Sequence, residues 1–373
     1  MDLTSGAAGV LAGAVLGAIV GLALTVAFED QLKFRIRQRL RHRRLNATTD
    51  LLRAPRHSFA MGPLKTTCVI LEGDGESPIK EESIDVIVDH TMVRLPAEMV
   101  QWRDELASEL DRKKKSGTSP FWNGPSYAVS GFTISRHPTT EEPEICIRLQ
   151  YSDYYNFLVS QQLDRRFGDG STPRSRYVEP FDLDAVPAFM SSAFGTNVAI
   201  VTADGRLLVS RRSNKVGSLP GLWSSSANEA LSRSIDSKGR QVPNLYEVAR
   251  RGVREELAVE PSEYRLDMLA FCVDTERNQW GSLYIARLHN LSQIALEERW
   301  GRGVADRWEH VEHRFVPFNP ASVISFILDP SRIDKWTPAG PTLYFLALVN
   351  EFGRARVERA VVGLSRRLSR DNF

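Results

Sequence analysis

Residues 6–28 run for 23 positions without a charge, long enough to cross a bilayer as a helix. Beyond them the chain breaks into shorter patterned segments. Residues 66–71, 84–88, 127–135 and 144–150 are rich in β-branched residues and predict strands. Residues 96–115 read as an amphipathic helix ending in RKKK, a solvated basic helix end. Residues 45–63 predict a linker, 151–163 a helix and 165–176 a polar loop. From about residue 197 the pattern sharpens. Residues 198–202 and 206–211 alternate around the turn Ala203-Asp204-Gly205, predicting a hairpin. A loop, SNKVGSLPGLW, follows, and the polar stretch 231–243 reads as an insertion. Residues 245–257 carry apolar positions at helical spacing. Strands are predicted at 266–273, 283–288 and 311–317, a helix at 291–299, and one long amphipathic helix at 342–368. Strands and helices alternate, which predicts an α/β (α+β) fold with a mixed sheet packed between helices.

Charge changes the picture at the N-terminus. No base precedes the apolar run, whereas seven Lys/Arg crowd into KFRIRQRLRHRR at 33–44. That asymmetry predicts a single-pass, N-out anchor in the cell membrane, with the rest of the chain cytoplasmic. A cleaved signal peptide is the rival, but it begins with a basic region and has a shorter apolar core. The basic run can also lie on anionic lipid, with Phe34, Ile36 and Leu40 dipping inward. Gly9, Gly13, Gly17 and Gly21 recur every fourth residue. This small-residue stripe allows helix pairing and a homo-oligomer, or reflects the ordinary glycine content of membrane helices. The organisation expected is a transmembrane helix at 6–28 and a basic linker at 29–63. An N-terminal α/β region at 64–190, a second domain at 191–330 and a C-terminal helix at 331–373 follow. Over the whole chain the net charge is +2, which predicts no nucleic-acid partner. Cys68, Cys146 and Cys272 have no metal-ligand spacing and predict buried or idle thiols.

The helix at 245–259 reads LYEVARRGVREELAV. Residues four apart share a helix face, so Arg251 can bridge Glu247 and Glu255, and positions 252 and 256 stand together. Preceded by LLVSRR and LPGLW, this helix resembles the signature of the Nudix hydrolases, G-x5-E-x7-R-E-U-x-E-E-x-G-U, where U is a bulky aliphatic residue. Arg251, Val253, Glu255, Glu256 and Val259 are in register. Gly252 replaces the first Glu of the helix and Ala258 the closing Gly. Pro243 and Ser237 stand where Glu and Gly belong, because the insertion destroys the upstream spacing.

The resemblance implies attack of water on a diphosphate linkage in a nucleoside diphosphate derivative. It also implies Mg²⁺, or Mn²⁺ in its place, held by hard carboxylate oxygens. Glu255 and Glu256 become metal ligands and Arg251 the orienting residue, all three counted as catalytic. Glu229, in WSSSANEAL, becomes the replacement for the carboxylate missing at 252, as ligand or base. Arg211, Arg212 and Glu312 are weaker substrate candidates, and the arginines equally suit pairing with acids at a strand end. In RWEHVEHRF, alternation would put Glu309 and His313 on one face and His310 and Glu312 largely on others, local irregularity aside. The two histidines read as structural, since Mg²⁺ prefers oxygen.

A second, shorter resemblance covers 121–163. FWNGPSYAVSGFTIS and ICIRLQYSDYYNFL are similar to the Nudix subgroup that acts on UDP-sugars, through Asn123, Gly124, Tyr127, Leu149, Tyr151 and residues 155–157. It implies a nucleotide sugar, with aromatic rings stacking on base or sugar or simply filling the core. The alternative to an enzyme is a nucleotide-binding sensor or effector at the membrane, its chemistry lost with the Glu at 252.

Overall fold

The computed structural model describes residues 58–115, 123–140, 142–179, 186–214, 216, 218–238, 242–301 and 310–371. The apolar run at 6–28, its glycine stripe and the basic segment after it lie outside the described residues. Among the described residues, no helix is long and apolar enough to cross a membrane.

Among the described residues, nine strands form the main sheet: β1 (Ser58–Met61), β2 (Leu64–Glu72), β6 (Phe194–Val201), β7 (Arg206–Arg212), β8 (Trp223–Ser224), β9 (Ala227–Ala230), β10 (Tyr264–Asp274), β11 (Gln279–Leu288) and β12 (His310–Pro317). Their order is β1-β2-β10-β11-β6-β7-β12. β6 runs parallel to β11, and the remaining pairs along this path are antiparallel. The expected hairpin β6–β7 is present but pairs only at its closed end, Ile200 with Leu208 and Val201 with Leu207. Beyond that the two strands part, and the return segment fills the gap. β9 pairs with β6, and β8 with β7. This split brings residues 223–230 into the sheet, where no strand pattern was legible. The expected linker at 45–63 likewise ends in a strand, since β1 pairs with β2.

A smaller sheet of β3 (Ile84–Met92), β5 (Pro143–Asp153) and β4 (Pro125–Arg136) has the order β3-β5-β4. It packs with α4 (Leu245–Leu257) on one face of the main sheet. Alternation in the strands decides which side chains meet it. Phe194, Val198 and Ile200 of β6 point into this core with Ile145, Ile147 and Leu149 of β5 and Val248, Ala249 and Val253 of α4. Ala199 and Val201 point to the opposite face. There they meet α6 (Pro320–Leu328), α7 (Ala339–Phe352) and α8 (Arg354–Asp371). A third cluster joins α1 (Ala97–Lys115) to α2 (Tyr154–Ser160) through Met99, Trp102 and Val159. Cys68, Cys146 and Cys272 are free thiols, the first and last buried on neighbouring strands.

Two further expectations need correction. The single helix at 342–368 is broken into α7 and α8 at Gly353, whose φ of 77° lies in the region that glycine adopts without cost. α6 was not anticipated, although Asn319 caps it by accepting from the Ser322 N–H and Pro320 opens it. Within the expected loop at 165–176, a π-helical turn starts at Arg174 and ends at Val178.

Candidate active site

α4 begins where the sequence puts it, because the Asn244 side chain accepts from the Tyr246 and Glu247 N–H groups. It ends at Ala258, which is left-handed with φ 55° and ψ 38°, and whose N–H returns to the Arg254 carbonyl. A left-handed residue past a helix end is ordinarily glycine, so Ala258 carries the backbone strain that a Gly there avoids.

The face of α4 at Gly252 lies directly beneath β9. A Cβ placed on Gly252 would stand 2.8 Å from Glu229 Cβ and 3.6 Å from its Cγ. Glu229 therefore occupies the space that a side chain at 252 would need. Its carboxylate reaches Arg251, with Oε2 2.8 Å from Nη1. Glu255 Oε2 approaches the same nitrogen at 3.4 Å. The other edge of the guanidinium is held by Asp236, which accepts from Nε and from Nη2 at 3.0 Å each, and by the Ala230 carbonyl at 3.0 Å. Burial works against the charge of Arg251, yet Glu229, Asp236 and Glu255 together keep its pKa above the ordinary arginine range.

Asp236 escaped the sequence reading. It sits on α3 (Arg233–Asp236), inside the polar stretch 231–243 that reads as an insertion, and its side chain is 4% exposed. The only signal was an acid among polar residues, since its distance from Arg251 in the chain matches no fixed spacing. The expected Glu247–Arg251 bridge is absent. Glu247 pairs with Arg250 at 2.5 Å, and Arg250 pairs with Glu81 at 2.9 Å, because the β3 side of the helix offers that acid.

Glu256 faces inward. Its side chain is 2% exposed, and Oε1 accepts from the Asn228 N–H at 2.8 Å. Oε2 lies 3.5 Å from Nδ1 of His310. Burial drives the His310 pKa down to about 3, with His313 and Arg212 adding to the effect, so the imidazole is neutral and this contact is not an ion pair. His313 Nδ1 is 3.0 Å from Ser210 Oγ, and its ring stands 4.8 Å from that of Trp300. The expected alternation fails here. A bulge between His310 and Glu312 breaks the period, leaving the two histidine rings 5.4 Å apart. Glu309 lies outside the described residues.

The weaker candidates are tied down at the strand end. Glu312 pairs with Arg314 at 2.6 Å and Arg211 at 3.5 Å. Arg211 also donates to the Gly221 carbonyl, and Arg212 to the Ser218 carbonyl and Asn228 Oδ1. Of the aromatic motif at 121–163, Tyr127, Tyr155 and Phe157 are buried. Tyr127 is core, its hydroxyl 2.5 Å from Ser237 Oγ. Tyr151 is half-buried, with the Arg233 guanidinium 4.2 Å from its ring centre.

The three expected metal ligands are hard oxygen donors of the right kind, but they are not gathered around one point. Glu229 and Glu255 converge on a guanidinium, and Glu256 turns into the interior. Among the described residues, no three acidic, histidine or cysteine side chains are grouped to hold a metal ion. As placed, these residues do not fit a resident Mg²⁺ or Mn²⁺.

No family model matches the chain. It is 28% identical over 150 residues to Nudix hydrolase 9 of Arabidopsis thaliana, across 39% of this chain and 44% of that protein. The chain thus aligns with less than half the length of this curated relative. Among solved structures it is similar to the Nudix domain of Shewanella oneidensis NrtR complexed with ADP ribose. There the identity is 16%, the TM-score 0.29, and the coverage 46% of this chain and 95% of that one. It is also similar to a MutT Nudix hydrolase from Burkholderia pseudomallei, with 17% identity, a TM-score of 0.26, and coverage of 40% and 94%.

Proposed function

We propose that the chain is a Nudix-type hydrolase cleaving a diphosphate linkage in a nucleoside diphosphate derivative, nucleotide sugars included, a reading that its 28% identity over 150 residues to Nudix hydrolase 9 supports. The observation that carries this reading is the seating of Glu229 over Gly252. The resemblance implies a carboxylate missing at 252, and the neighbouring strand β9 seats the Cβ and Cγ of Glu229 against that position. Glu229 and Glu255 keep 19% and 32% of their side-chain surface exposed, so neither side chain is sealed from solvent. Glu229 is the candidate base. It takes a proton from water as the new P–O bond forms and the bridging P–O bond breaks, and a nucleoside monophosphate leaves. Arg251 holds it in position.

The second reading is a nucleotide-binding sensor. The pairing of Glu229 and Glu255 with Arg251 favours it, since that guanidinium is buried against acids and is not offered to a phosphate. Incubating the chain with UDP-glucose or ADP-ribose, with Mg²⁺, Mn²⁺ or a chelator, separates the two. Hydrolysis predicts monophosphate product and a loss of roughly 10²–10⁴ in rate for Glu229→Gln. Saturable binding with no product in any metal leaves the sensor.

Residues 6–28 and the basic run after them support a single-pass anchor with the remainder cytoplasmic, and we propose that arrangement with helix pairing through Gly13 and Gly17.

A further inference from the structure

A cavity of about 380 Å³ opens at the edge of the smaller sheet, and neither Arg251 nor the carboxylates around it are in its wall. Its wall includes Thr91, Met92, Arg94, Gln150 and Phe189. The parallel pairing of β3 with β5 slips between Asp89 and Met92, and the Asp89 carboxylate accepts from the Thr91 N–H. Bulges in parallel pairs are rare, and they re-aim side chains that regular pleating would hide. Here the bulge leaves Thr91 and Met92 exposed at the cavity.

The chemistry of the wall is mixed in a specific way. Arg94 is exposed, and among the described residues its guanidinium has no hydrogen bond or ion pair. A planar fork of donors left open suits an oxyanion with two oxygens to offer. Phe189 and Met92 supply an apolar face and a polarizable sulfur, the usual contacts of a flat ring. Gln150 donates to the Thr91 hydroxyl at 2.9 Å, which orients its amide and leaves a carbonyl and an N–H for a group that both donates and accepts. Arg233, 4.0 Å from the Met92 sulfur, adds positive charge nearby. The volume falls within the roughly 300–1,000 Å³ of small-molecule sites.

We propose that this cavity is a binding site for a nucleoside monophosphate. Its phosphate pairs with Arg94, its base lies against Phe189 and Met92, and the base edge faces Gln150. The site is independent of the hydrolase reading, because none of its residues belongs to the Arg251 cluster.

Titration calorimetry of the full chain with AMP and UMP tests it. Saturable binding of one of them is expected, weakened roughly tenfold or more by Arg94→Ala, the loss that follows from a missing charge-assisted contact. Arg94→Lys should fall between, keeping the charge and losing the fork. Since Arg94 is exposed, its variants should unfold at the wild-type temperature, and that is measured alongside. Phe189→Leu should weaken AMP or UMP but leave inorganic phosphate unchanged. No saturable binding of either nucleotide, or equal binding by wild type and Arg94→Ala, overturns the proposal. Inorganic phosphate bound as tightly as the nucleotides overturns it too.

Discussion

Replacing Gly252 with alanine adds one carbon at a point where Glu229 Cβ stands 2.8 Å away. Ordinary carbon–carbon contact is about 3.5–4.0 Å, so the intrusion is roughly 1 Å. The obstacle is the first carbon of a residue fixed in a paired strand, not the end of a flexible chain, so β9 or α4 must move. Overpacking of this kind costs about 1–3 kcal/mol. Against it stands the helix preference for alanine over glycine, about 0.8–1 kcal/mol. Gly363, inside α8, is the control, because a Cβ there meets nothing within 4 Å. Gly363→Ala should therefore stabilise by about 1 kcal/mol, and Gly252→Ala should fall below it by about 1–3 kcal/mol. Urea unfolding of each variant gives the difference. A double-mutant cycle sharpens it. Glu229→Gly removes the obstructing carbon and should relieve the cost of Gly252→Ala, whereas Glu229→Ala keeps that carbon and should not. Equal stabilisation at 252 and 363 would refute the reasoning, and with it the account of why glycine stands at 252.

Ala258→Gly should stabilise the chain by about 1–2 kcal/mol in the same urea assay, because the left-handed backbone there suits glycine; no gain would mean the helix end relaxes around alanine. His310 sets a pH dependence. Its folded pKa is depressed to about 3 while the unfolded value is near 6.5, so between these the unfolded chain binds the extra proton. Its contribution is fully present above about pH 6.5 and is lost as pH falls toward 3, at up to about 1.4 kcal/mol per pH unit. His310→Asn should flatten the urea midpoint against pH from 7 to 4, and an unchanged slope would assign the dependence to other groups. For the anchor, external protease should spare residues 45–373 in intact cells, and Gly13→Ile with Gly17→Ile should weaken cross-linking. Digestion from outside would reverse the topology, and unchanged cross-linking would reduce the glycine stripe to composition.

Local rules made much of this protein legible in its sequence. The 245–257 helix was readable to the residue because its apolar period and its acids are encoded within one short window. The hairpin around Asp204-Gly205 and the strands ending at Leu288 and Pro317 were readable for the same reason. Tertiary structure alone decided what those elements hold. Glu229 was named as the stand-in for a carboxylate at 252, but only the parting of β6 from β7 lets β9 enter and bring it onto Gly252. Asp236 reaches Arg251 from 15 residues upstream, through a helix too short to leave a period. The bulge before Glu312 breaks the expected alternation, and the His310 and His313 rings stand 5.4 Å apart. An acid's sequence neighbours do not say whether it will meet a metal, an arginine or water. Which partner it finds depends on charge and burial summed over segments that come together only in the fold, and here that sum turned Glu229 and Glu255 toward Arg251.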